Sequence, residues 1–213
     1  MTYLVLTHDR KITISAAGNR LSTSWPAQSL KWSELVEKLR KPVRSTETLA
    51  TYFKMQKSRQ DDLKDVGGFV GGELLNNSRK ASNVKYRDVL TLDLDNIPSG
   101  QTNGVLEKIE ALECAFAVYS TRKHEESKPR LRVLVPLNRS ASIDEYEPLA
   151  RKLAFNIGME FADPTTFQAS RLMYWPSCSS DSDYVFEIGD KPFLDTDQLL
   201  ATYEDWRNIQ EWP

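Results

Sequence analysis

Leu90-Thr91-Leu92-Asp93-Leu94-Asp95-Asn96 is the stretch on which the reading of this chain turns. Its alternation is that of a strand, in which side chains at i and i+2 share a face. Leu90, Leu92 and Leu94 then face a core, and Asp93 and Asp95 point together to the other side. Two ionised carboxylates side by side in a half-buried sheet repel and lose hydration, which is costly without a compensating charge. A divalent cation is the usual compensator. Read alone, the pair equally fits a strand end that caps a turn into Asn96-Ile97-Pro98-Ser99-Gly100.

The pattern on the C-terminal side alternates helix and strand. Gly104 to Glu113 reads as an amphipathic helix with Val105, Ile109 and Leu112 inward, and Cys114 to Ser120 as an apolar strand. Strand, helix, strand in this order predicts a right-handed crossover between parallel strands. Leu131 to Val135 is a further strand. Ser142-Ile143-Asp144-Glu145 is a capping-box start for a helix that runs to Gly158, with a kink expected at Pro148. Arg171 to Trp175 and Tyr184 to Ile188 read as short strands, and Thr196 onward as a C-terminal helix with Leu199, Tyr203 and Trp206 in register.

On the N-terminal side, Thr2 to Thr7 and Lys11 to Ser15 read as two strands joined at His8-Asp9-Arg10, and residues 16 to 29 as a loop. Trp32 to Arg40 has helical spacing and Pro42 ends it. Ser45-Thr46-Glu47 opens a second helix through Leu49, Tyr52 and Phe53, followed by a polar segment. Val66-Gly67-Gly68-Phe69-Val70-Gly71-Gly72 allows close backbone approach, a tight bend or a β-bulge. It lacks the Gly-Lys-Ser/Thr ending of a Walker loop. Alternating strands and helices make the fold α/β or α+β with one central sheet; α+β around a central mixed sheet is the class adopted, as a single domain over residues 1–213. Residues 1–60 form an N-terminal strand and helix subregion, and 61–213 carry the motifs.

Bulk properties narrow the function. The chain has 213 residues, a formal net charge of −2, two cysteines and two histidines. Cys114 and Cys178 cannot make a disulfide framework, the usual Cys/His zinc spacings are absent, and a reducing cytoplasm fits. No apolar stretch is long enough to span a bilayer. The charge provides no global basic field, so a nucleic-acid partner needs a local patch. Arg79, Lys80, Lys85 and Arg87, just before the Asp93 strand, are the candidates for DNA contacts.

Three further elements can converge on Asp93 and Asp95. Tyr119-Ser120-Thr121-Arg122-Lys123-His124 places small hydroxyls and then cations at a strand end, which suits phosphate; taken alone, His124 fits a solvated loop better. In Lys128-Pro129-Arg130-Leu131-Arg132, period two puts Arg130 and Arg132 on one face. There, paired guanidiniums suit polyphosphate, or guard an edge strand. Asp163 precedes Pro164, where Asp commonly forms a turn. As a set, three carboxylates, a histidine and several cations make a site for two metal ions and a triphosphate.

The order Asp93-x-Asp95, His124, Asp163 resembles the archaeo-eukaryotic primase superfamily. It is similar above all to primase-polymerase domains of phages, plasmids and mobile elements of the virulence-associated E-like type. Leu63 to Val70, Leu90 to Asn96, Tyr119 to Leu137 and Asp163 to Pro176 carry the likeness. Arg122 stands where a small residue is usual. The resemblance implies a primase-polymerase core with an RRM-like βαβ unit bearing the Asp-x-Asp strand. It implies Mg²⁺ or Mn²⁺ held by Asp93, Asp95 and Asp163, with His124 on the nucleotide phosphates. Ser120, Arg122, Lys128, Arg130 and Arg132 would complete the nucleotide site. Single-stranded DNA template and NTP or dNTP are the implied substrates, with a helicase as a further domain or partner. The rival readings are a non-catalytic single-stranded nucleic-acid-binding domain and a metal-dependent nuclease. A rolling-circle initiator is disfavoured because adjacent histidine ligands are missing.

Overall fold

The computed structural model describes residues 4–213. Its elements in chain order are β1 (Lys11–Ala17), β2 (Ala27–Lys31), α1 (Trp32–Arg40), β3 (Val43–Arg44), α2 (Leu49–Lys54), α3 (Lys57–Lys64), β4 (Gly68–Val70) and β5 (Gly72–Leu74). There follow β6 (Val84–Leu94), α4 (Thr102–Glu110), β7 (Phe116–Ser120), β8 (Leu131–Ala141), α5 (Ile143–Ile157), β9 (Met173–Tyr174), β10 (Ser177–Cys178), β11 (Phe186–Gly189) and α6 (Thr196–Leu200). The fold is α+β. Three sheets form, in the orders β11-β7-β8-β6-β5, β2-β1-β4-β9 and β10-β3.

The five-stranded sheet is built on the alternation of β6. Leu90, Leu92 and Leu94 are fully buried against α4 and α5, through Val105, Ile109, Tyr146, Leu149 and Leu153. Burying a Leu side chain stabilises by about 1.5–3 kcal/mol, so a one-residue slip of this strand would be costly. The opposite face of the sheet carries Val89, Ala117, Tyr119 and Leu134. These pack on Ile12 and Ile14 of β1, the apolar side of α1, Phe69, Met173 and Trp175. Asp93 belongs to this second face, in register with Arg132 and, across β8, with Tyr119.

Several expectations are corrected. The central sheet is not mixed: each neighbouring pair in it is antiparallel. β6 and β7 do run parallel to one another, but β8 inserts between them and pairs antiparallel with both. Residues 4–7 form no strand, and the part of that expected strand at residues 2–3 lies outside the described residues. Residues 27–31, read as loop and helix approach, pair with β1 as a strand. The polar segment after α2 is the helix α3, whose sequence Lys-Ser-Arg-Gln-Asp-Asp-Leu-Lys has no apolar face for periodicity to detect. The C-terminal helix is short and turns follow it. Helix α5 runs through Pro148 without a break and begins on the Ser142–Glu145 capping box.

The glycine run has a steric cause. β4 pairs in one sheet and β5 in another, so the chain crosses between them here. A Cβ on Gly72 would lie 2.0 Å from the Tyr86 carbonyl oxygen, and Gly67 has φ +84°. No other residue type fits the first position, and few tolerate the second.

Candidate active site

Asp93 lies between the two larger sheets, 5% exposed, where β6 ends. Its place is set by the later chain. The Thr166 hydroxyl accepts a hydrogen bond from the Asp93 amide at 3.0 Å and donates to the Thr91 carbonyl at 2.9 Å. The Asp163 amide donates to the Asp93 carbonyl at 2.8 Å. The late Asp and the Asp pair are therefore neighbours along the backbone. Thr166, which stitches them together, had no signal in the sequence beyond its place after Asp163.

Each of the three carboxylates meets an arginine. Arg132 Nε lies 3.5 Å from Asp93 Oδ1, Arg130 Nη1 lies 2.6 Å from Asp95 Oδ2, and Arg171 Nη2 lies 3.4 Å from Asp163 Oδ2. The Asp93–Arg132 pair is buried yet misaligned: Asp93 Oδ1 and Arg132 Nε both lack a hydrogen-bond partner. Buried polar atoms of this kind are rare and costly, and often mark a site for a missing partner. Burial pushes the Asp95 carboxyl above its ordinary pKa and Asp93 adds to the rise, while Arg130 and Arg132 oppose it without cancelling it. Burial also works against charge on Asp163, but hydrogen bonds from Thr165 and the nearby Arg171 and Arg130 hold it below the usual range. For Arg132, burial is outweighed by Asp93 and the Tyr119 hydroxyl, and its pKa rises.

A cavity of about 430 Å³ opens over Asp93. Arg20, Lys64, Arg79, Arg132 and Arg171 line it, and Asp93 is its one carboxylate. Burial, helped by Arg132, lowers Lys64 to about 8, with Asp93 and Asp95 opposing the drop. Arg79 has an unpartnered Nε and lies over the Trp25 ring. Such a concentration of positive charge in a confined, partly dry space attracts a polyanion strongly. Lys64, Arg20 and Arg171 went unassigned from sequence; they come from the end of α3, the β1–β2 loop and the turn before β9, which no spacing rule connects.

The remaining candidates are placed differently. His124 is 5% exposed and lines a second cavity, not the one over Asp93. Its Nδ1 accepts from the Arg130 amide at 3.1 Å, which assigns the ring proton to Nε2. Burial lowers its pKa, and Glu126, Asp183 and Glu125 oppose this without restoring it. His124, Arg130 and Arg132 thus do not share one pocket. His124 holds Arg130, and Arg130 holds Asp95. Arg122 is buried over the Tyr52 ring and pairs with Glu47 and Ser45, so it ties its loop to the start of α2. Ser120 is buried and its hydroxyl accepts from the Val185 amide. Lys128 is exposed.

The proposed DNA patch divides. Arg87 is 0% exposed, and its guanidinium donates to the carbonyls of Gly71, Val89 and Ala169 and to the Thr91 hydroxyl, above the Tyr146 ring. With these donors committed inside the fold it has no route to DNA, which corrects that expectation. Lys85 pairs with Glu73 at 2.9 Å, Lys80 is exposed, and Arg79 turns into the Asp93 cavity.

Among the described residues, no three His, Cys, Asp or Glu side chains are grouped closely enough to form a ready metal cage. The Asp163 carboxylate is spent on Thr165 and Arg171. What fits a hard divalent cation is the two-carboxylate edge of Asp93 and Asp95, with its unpartnered Oδ1 and its raised Asp95 pKa.

Comparison with known proteins now places the chain. The model of the VapE N-terminal domain matches residues 1–213. The chain belongs to the VapE N-terminal domain family. No curated protein matches it. Among solved structures, the AEP domain of the cyanophage S-2L primase-polymerase is similar, with a TM-score of 0.49 and 13% identity, over 95% of this chain and 89% of that one. Among the described residues of this VapE N-terminal domain, no helix is long and apolar enough to cross a membrane.

Proposed function

We propose that this domain is a template-directed nucleotidyltransferase, the catalytic part of a primase-polymerase that serves a phage or mobile element. Its substrates are a nucleoside triphosphate and a single-stranded DNA template, with Mg²⁺ or Mn²⁺ as cofactor. One observation carries the reading: Asp93 and Arg132, each with an unpartnered buried polar atom, share the wall of a cavity lined by five cations. Carboxylate beside concentrated positive charge is the pairing that phosphoryl transfer needs, since its catalysis is positioning and charge neutralisation. The motif order Asp93-x-Asp95, His124, Asp163 supports it independently.

In this reading Asp93 and Asp95 hold the divalent cation. Bound there, the cation supplies neutralisation of charge on the attacking and leaving oxygens. Lys64, Arg79, Arg132 and Arg171 hold the triphosphate and fix the α-phosphorus in line with the primer oxygen. Arg132 and Arg171 exchange their carboxylate partners for phosphate oxygens, which frees carboxylate oxygens as the nucleotide arrives. His124 acts as a positioning residue through Arg130. Asp163 orders the turn that carries Thr166 and Arg171. A nuclease could use the same carboxylates, but five cations around one cavity suit a triphosphate better than a single phosphodiester.

The test is incorporation of labelled nucleotide on a primed single-stranded template with Mg²⁺ or Mn²⁺. Wild type incorporates and Asp93→Asn does not. Triphosphate bound without any incorporation, by a folded wild-type protein, would leave a binding domain rather than an enzyme.

A further inference from the structure

A second cavity, of about 800 Å³, lies beside the His124 loop, between α2, the start of α4 and residues 181–187. Among the described residues its charged lining is Glu125, Glu126, Asp181, Asp183 and Glu187, with no Lys or Arg. None of these five enters an ion pair among the described residues. The active-site carboxylates Asp93, Asp95 and Asp163, by contrast, each meet an arginine.

A solvated acidic face would be an ordinary explanation if the cavity were otherwise satisfied. It is not. Thr102 and Ser182 also line it, 6% and 9% exposed, and neither hydroxyl has a hydrogen-bond partner. Buried hydroxyls normally find one. The wall between them is apolar: Leu49, Leu106 and Phe53, the last with 40% of its surface exposed. Carboxylates, free hydroxyls and an exposed aromatic ring together suit a side chain with a cationic head, several N–H donors and an aliphatic stem. Five carboxylates without a cationic partner, of which Asp181 also accepts from the Leu49 amide at 2.8 Å, exclude nucleic acid by repulsion. The volume exceeds what one such side chain fills and suits a short peptide.

We propose that this cavity docks a basic peptide segment of a protein partner. An arginine or lysine enters between Asp183 and Glu187, its donors meet Thr102 and Ser182, and its stem lies on Phe53. The site is separate from the triphosphate cavity. It does not depend on the domain being a polymerase.

The experiment is fluorescence anisotropy with a labelled peptide of alternating arginine and serine, titrated with the full chain. Wild type binds, and Asp183→Asn/Glu187→Gln weakens binding by about tenfold or more, 1.4 kcal/mol per decade. Phe53→Ser, an exposed position with little bearing on folding, weakens it several-fold. Glu204→Gln/Asp144→Asn, which removes the same charge at exposed positions outside the lining, leaves it unchanged. Equal binding by wild type and Asp183→Asn/Glu187→Gln overturns the proposal, as does an equal loss in the Glu204→Gln/Asp144→Asn control. Spermidine tests the remaining occupant. Displacement of the peptide by spermidine at equal charge concentration would make this a free polyamine site and overturn the peptide reading.

Discussion

The two cavities of this domain carry predominantly opposite charge. One, over Asp93, is walled by Arg20, Lys64, Arg79, Arg132 and Arg171; the other, beside His124, by Glu125, Glu126, Asp181, Asp183 and Glu187. Against a net charge of −2 neither would be guessed from composition. The contrast teaches that the functional field here is local: the first cavity sets five cations around one carboxylate, the second gathers carboxylates alone, and low-dielectric walls focus each field. One run of contacts leads from the acidic wall to the Asp pair. His124 stands in the acidic wall and accepts from Arg130, whose guanidinium meets Asp95.

The largest effect is expected where the carboxylates face the cations. Asp95→Asn should lower nucleotide incorporation by about 10²–10³-fold, the cost of removing one preorganised charge from a transition state. Asp95 is only partly buried, so the fold should survive. Circular dichroism and a labelled-nucleotide assay on the same preparation check both. A fully active Asp95→Asn would detach the cationic cavity from catalysis.

A smaller effect concerns pH. Lys64 is charged below about 8 and neutral above it. Triphosphate affinity should fall as pH rises through about 8, approaching tenfold per unit beyond it for one essential charge. Lys64→Arg should flatten the curve. The stability sign is opposite. Between about 8 and the ordinary lysine value of 10.5 the folded state binds fewer protons than the unfolded one, so stability contributed by this group rises with pH. Affinity and thermal unfolding, followed across the same window, should move in opposite directions.

The smallest effect concerns the link. His124→Ala removes one acceptor from the Arg130 amide and should cost about 1 kcal/mol, several-fold in incorporation. A loss as great as that of Asp95→Asn would instead make His124 a direct contact of the phosphates.

How much of this was legible in the sequence follows from how each residue is placed. Strict alternation set Asp93 against Leu92 and Leu94, and Arg132 against Leu131 and Val133, so both were found. The capping box at Ser142 gave α5 its start. Lys64, Arg20 and Arg171 were not assigned because tertiary packing alone brings three distant segments to one cavity. Arg87 was misread as a surface cation because a guanidinium can be satisfied wholly by carbonyls, which leave no trace in sequence. The acidic cavity was missed for the same reason as Lys64: Glu125 and Glu126 lie more than fifty residues before Asp181 and Asp183.

The most direct test of the account is triphosphate binding by two charge-altered variants, measured by calorimetry with Mg²⁺ present. Lys64→Ala/Arg79→Ala should weaken binding by about 10²-fold or more, since each charge-assisted contact is worth about 1.5–3 kcal/mol. Asp183→Asn/Glu187→Gln should leave it unchanged. Full affinity in Lys64→Ala/Arg79→Ala, or a loss of affinity confined to Asp183→Asn/Glu187→Gln, would contradict the assignment of the triphosphate to the cavity over Asp93.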